Sequence, residues 1–133
     1  MDERRIGMWN AAAAASLAIA VAACGGSSGG SAPPTTPGGT IVTVTITNNA
    51  VTPQSVTVPR GTRVTFVNND GRVHDIESDP HPTHTDCPEI NQIGFLSPGQ
   101  SHQTGALNAA RVCGYHDHDQ PDTRSLQGTI TIQ

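Results

Sequence analysis

The sequence predicts an all-β fold, a small antiparallel sandwich or barrel, carried on an exported chain. Three observations predict it. Apolar β-branched residues alternate with polar ones at period two in four separate stretches. Turn-forming clusters divide those stretches. After the N-terminal segment, no apolar pattern of helical period continues for ten residues.

The N-terminal segment is a targeting signal rather than part of the fold. Arg4 and Arg5 give it a positive start, and Ala11 to Ala23 form an apolar run of signal-peptide length, too short to span a bilayer comfortably. The run closes on Val21-Ala22-Ala23-Cys24, and small residues before a cysteine resemble a bacterial lipobox. That resemblance implies that residues 1–23 are removed and that Cys24 is lipidated, anchoring the protein at a membrane surface facing the periplasm or the cell exterior. An ordinary signal cleaved nearby would leave Cys24 incidental; both readings predict export. Residues 24–39 are rich in Gly, Ser, Pro and Thr, cannot bury enough apolar surface to order themselves, and read as a flexible tether.

Residues 40–133 form the domain, a size that folds alone with a modest margin. Val42, Val44 and Ile46 alternate with threonines, as do Val56 and Val58; Val64 and Phe66 follow, and Ile130 and Ile132 close the chain. Asn48-Asn49, Pro59-Arg60-Gly61, Asn69-Asp70-Gly71 and Pro98-Gly99 mark the turns. Ser78 to Gly94 holds three prolines, two histidines and a cysteine, and is a long loop, a feature that compact domains usually keep for function. The net charge is −4 and the chain has no lysine, which argues against nucleic acid as a partner. No glycine loop for phosphate precedes a helix, and no nucleophile has an evident oxyanion site, so the chain is not expected to be an enzyme.

The chemistry concentrates near the C-terminus, in Cys113-Gly-Tyr-His116-Asp-His118. A cysteine with a histidine three residues later can present sulfur and imidazole to one ion, and a distant histidine, His74, would complete a set of two imidazoles and a thiolate. The order of elements adds weight. Val64-Thr-Phe-Val-Asn leads to His74, Pro98-Gly99 sits mid-chain, Cys113-Gly-Tyr-His116 follows, and Leu126-Gln-Gly128-Thr-Ile-Thr-Ile ends the domain.

This order resembles the cupredoxin family, its plastocyanin-like branch in particular, over nearly all of residues 40–133. The resemblance implies an antiparallel Greek-key β-sandwich with a mononuclear, type 1-like copper site. It implies His74, Cys113 and His116 as ligands, and electron transfer with a redox partner protein, as a monomer. Two departures matter. The family's axial methionine position holds Leu126, and the only methionines, Met1 and Met8, lie in the signal. The loop after His116 is also longer than the family pattern, which makes His118 an alternative to His116.

Two other readings stay open. Exported cysteines usually pair, so Cys87 and Cys113 could form a disulfide that staples a non-metal sandwich. The loop His81-Pro-Thr-His84-Thr-Asp-Cys87 could form a second metal site, in a copper-binding or copper-delivery module. His102 reads as an exposed strand residue; Asn69 and Asp75, flanking His74, read either as supports for that ligand or, for Asn69, as a residue that satisfies the turn.

Overall fold

The computed structural model describes residues 41–133; the expected signal peptide, Cys24 and the expected tether lie outside the described residues. The alternating stretches form strands as their periodicity requires. They are β1 (Val42–Thr47), β2 (Ala50–Thr52), β3 (Ser55–Val58), β4 (Val64–Asn68), β5 (His74–Ser78), β6 (Gly94–Leu96), β7 (Ser101–Gln103), β8 (Arg111–Asp117) and β9 (Gly128–Ile132). Among the described residues the only helical segments are two 3₁₀ turns, Ile90–Gln92 and Arg124–Leu126.

The strands make two sheets, ordered β2-β1-β4-β7 and β3-β9-β8-β5-β6. The expected sandwich is present, with one difference of detail. β1 runs parallel to β4 and β3 runs parallel to β9, so each sheet is mixed. Period-two alternation could not reveal this, because it fixes which face a residue takes and not the direction of its neighbour. Val44, Ile46, Val58, Val64, Phe66, Ile76, Leu96, Tyr115, Leu126 and Ile130 fill the space between the sheets. Phe66 and Tyr115 meet edge to face across it, with ring centroids 5.1 Å apart.

Side-chain polar groups hold the turns. Asn48 and Asn49 both have positive φ, 53° and 59°, the pair of conformations that closes the tight β1–β2 hairpin. Their amides donate to the Asp70 carboxylate at 2.6 and 2.8 Å. The buried Asn68 amide donates to the carbonyls of Arg72 and Leu96, both at 2.7 Å, and its oxygen accepts from the Asp70 amide. Asn68, rather than the expected Asn69, therefore shapes the turn before His74.

The long loop is anchored to β8. Cys87 and Cys113 form a disulfide, with Cα atoms 5.9 Å apart. The Asp79 amide donates to the Gly114 carbonyl at 3.0 Å, and the Asp86 amide returns to the Asp79 carbonyl at 3.0 Å. Asn91 donates to the His84 carbonyl and accepts from the Ser78 amide. Residues 79–86 thus lie as a tied flap over β8. Alternation along β8 sends Cys113, Tyr115 and Asp117 inward and Gly114 and His116 to the opposite face, under the flap.

Candidate metal centre

Four histidines meet on the outer face of the five-stranded sheet. His116 comes from β8 and His118 from the residue just beyond it; His81 and His84 come from the flap. One nitrogen from each of the four lies within 4.8 Å of the other three. Ring centroids are 4.9 to 5.6 Å apart wherever two of the rings pair. Nδ1 of His118 is 3.2 Å from Nε2 of His84. Two imidazole ligands of one tetrahedral ion, each about 2.0–2.1 Å from the metal, stand roughly 3.3 Å apart. That pair is already at ligand spacing.

His116 carries the clearest mark of an unmet partner. Its Nδ1 is 2.7 Å from Oδ1 of Asp79, which fixes the ring and directs its proton to that side. Its Nε2 is buried without a hydrogen-bond partner. A buried imidazole lone pair with nothing to accept is costly unless an ion or water fills the position. Gly114 makes the Asp79 contact feasible: a methyl group at Gly114 would collide with the Asp79 carboxylate.

The local electrostatics favour a neutral His84 ring. Burial, then the neighbouring His116, His118 and His81, hold the His84 ring below the ordinary histidine value of 6.5. His84 also sits with Nδ1 4.0 Å from Oε2 of Glu77. Burial, then the charge of Asp75, raises the Glu77 carboxyl above its ordinary value. His84 adopts a positive φ of 50°, a sparsely populated conformation for a residue with a side chain; such strain gathers at functional positions.

Two of the three residues that the resemblance assigned to copper, Cys113 and His74, do not fit it, whereas His116 stays a candidate. Cys113 is bonded to Cys87, so it offers no thiolate; this corrects the expectation of a sulfur ligand and removes Cys87 from the second site. His74 is fully buried between two carboxylates, with Nδ1 2.6 Å from Asp117 Oδ2 and Nε2 3.1 Å from Asp70 Oδ2. Neither nitrogen has a lone pair turned to open space, which corrects its expected role as a ligand. The β8 residue that faces His74 inside the sandwich is Asp117, four positions after Cys113. Leu126 packs in the core and supplies no ligand atom.

His116 and His118, expected to be alternatives, lie in one cluster with His81 and His84. His102 is exposed, with Nδ1 2.7 Å from the Ile93 carbonyl, and stands outside the cluster. Sequence reasoning missed Asp79 and Gly114, and it read Asp117 as a loop charge or an oxygen ligand where the structure pairs it with His74. The signal for Asp79 was its place in the alternating series Asp75, Glu77, Asp79.

No protein-family model matches the chain, and no curated protein matches it. Solved structures do match. A purple cupredoxin from Nitrosopumilus maritimus aligns over 69% of this chain and 99% of its own, at 19% identity and a TM-score of 0.53. The oxidised plastocyanin of Dryopteris crassirhizoma covers 69% of this chain and 100% of its own, at 20% identity and 0.54. The amicyanin of Paracoccus versutus covers 71% and 82%, at 17% identity and 0.55. The domain has a cupredoxin fold. Within that cupredoxin sandwich, the four-histidine cluster occupies an outer sheet face, and the interior position beside His74 holds a carboxylate.

Proposed function

We propose that this cupredoxin domain is a copper-binding module that holds one ion between His81, His84, His116 and His118 and does so without a thiolate. The observation that carries the reading is the buried, unpartnered Nε2 of His116 within a cluster whose ring nitrogens lie inside 4.8 Å of one another. Imidazole suits both copper and zinc, and among divalent first-row ions copper binds most tightly to a given nitrogen site. The cupredoxin fold favours the same metal. We read the protein as a binder rather than a catalyst. We place it, as a monomer, in the cell envelope, attached through Cys24. The disulfide supports an oxidising compartment.

The test is copper loading of the exported chain with Cys24 replaced by Ser. One equivalent of copper(II) should bind, with nitrogen hyperfine structure in the electron paramagnetic resonance spectrum and no intense thiolate-to-copper band in the visible. His116→Ala or His84→Ala should weaken binding by at least about tenfold, or roughly 1.4 kcal/mol. A strong thiolate band, or undiminished binding in both variants, would overturn the reading. Electron transfer, suggested by the likeness to plastocyanin and amicyanin, is the second reading; a fast, reversible voltammetric wave and a redox partner protein would favour it.

A further inference from the structure

The inference rests on the four-histidine reading and concerns which copper ion that site takes. Asp75, Glu77 and Asp79 are alternate residues on β5 and its continuation, so their side chains share the sheet face that carries His116. Two of them stand by different rings. Asp79 Oδ1 lies 2.7 Å from Nδ1 of His116 and Glu77 Oε2 lies 4.0 Å from Nδ1 of His84. The His118 amide donates to the Asp75 carbonyl at 2.7 Å, which sets those two residues side by side, and Asp75 Oδ1 is buried without a partner. Two carboxylates therefore back two of the four imidazoles, a third, Asp75, shares their sheet face, and no lysine or arginine forms an ion pair with any of them among the described residues.

We infer that this backing makes the site selective for copper(II) over copper(I). Two effects act in the same direction. Copper(II) is suited by several nitrogen donors, whereas copper(I) is selected by thiolate and thioether sulfur. Here both sulfurs of the domain are tied in the Cys87–Cys113 bond, and the only methionines are Met1 and Met8. The carboxylate row adds a charge effect. Its attraction for an ion scales with the ion's charge, so it favours the divalent form twice as strongly as the monovalent one. The carboxylates also make the imidazoles stronger donors, as partners behind metal-bound histidines commonly do.

The experiment compares affinities by chelator competition on the exported chain with Cys24 replaced by Ser. Copper(II) is titrated against nitrilotriacetate, and copper(I) is titrated without oxygen against bicinchoninate. Copper(II) should bind tighter by on the order of a thousandfold. Asp79→Asn and Glu77→Gln should each weaken copper(II) by roughly tenfold while changing copper(I) by less than about threefold. Thermal unfolding of the metal-free variants shows that they remain folded. Copper(I) bound as tightly as copper(II), or both ions weakened alike in the variants, overturns the selectivity and leaves the four-histidine site standing. Failure of either ion to bind overturns the site itself, and the inference with it.

Discussion

His74 and Gly114 show how single residues divide the work. His74 is buried between Asp117 and Asp70 and joins the start of β5 to the end of β8. Removing the ring leaves the buried Asp117 carboxylate with one fewer partner, and breaking a buried pair in this way costs about 3 kcal/mol or more. His74→Gln should therefore lower stability in urea by an amount of that order while the protein still binds one copper. Loss of copper with stability intact would instead make His74 a ligand. Gly114 is the opposite case. Gly114→Ala would push the Asp79 carboxylate off β8 and free the His116 ring. We expect copper affinity to fall about tenfold with little change in the melting temperature, because loss of a partner behind a metal ligand typically costs ten- to a hundredfold.

At the level of elements, the site is a junction between one strand and one flap. β8 supplies His116 and leads directly to His118, and the flap supplies His81 and His84. The Cys87–Cys113 bond clips the two together three residues after His84 and three before His116. Closing a loop across a sequence separation of 26 should stabilise the fold by about 3.5 kcal/mol. Replacing both cysteines by Ala is thus expected to reduce stability by roughly that amount. It should weaken copper binding as well, since the flap would then have to be ordered by the ion. Unchanged affinity would show that the flap's hydrogen bonds suffice to hold it. The β1–β2 hairpin depends on a different element. Hydrogen bonds from the Asn49 and Asn48 amides, together with the His74 ring, hold the Asp70 carboxyl below its ordinary 3.8. A depressed folded value means that the folded chain keeps this charge where the unfolded chain takes up a proton. Asp70 therefore adds stability above pH 3.8 that is lost as the pH falls below it. Asp70→Asn should flatten the acid limb of the unfolding curve measured between pH 5 and pH 3.

Over the whole molecule, metal binding and folding are coupled through protons. The His84 ring resists protonation, through burial first and then its three histidine neighbours, while the same residue in the unfolded chain titrates near 6.5. The metal-free fold should accordingly lose stability as the pH drops through 6.5, because the unfolded chain then binds the extra proton. Copper should stabilise the fold at both pH values but less at the lower one, since it binds only neutral rings and only in the folded chain. Denaturation curves at pH 7.5 and 5.5, with and without one equivalent of copper, test both statements. A copper-induced gain in stability larger at pH 5.5 than at pH 7.5 would contradict the competition with protons.

Sequence alone determined the two-faced strands of this domain and the kinds of donor its proposed metal site can offer. Val44, Ile46, Val64, Phe66, Ile130 and Ile132 fixed two apolar faces, because period two in a strand assigns each side chain to a side whatever the strand's neighbour. The six histidines offered imidazole donors, and the absence of any domain methionine excluded a thioether ligand. Which residues converge was decided only by the tertiary structure. Spacing along the chain made Cys113 and His116 look like partners, but a strand turns residues three apart to opposite faces, so Cys113 went inward to Cys87 and His116 outward to the flap. His81 and His84 reach the same point from more than thirty residues away in the sequence, and no local pattern can state such a meeting.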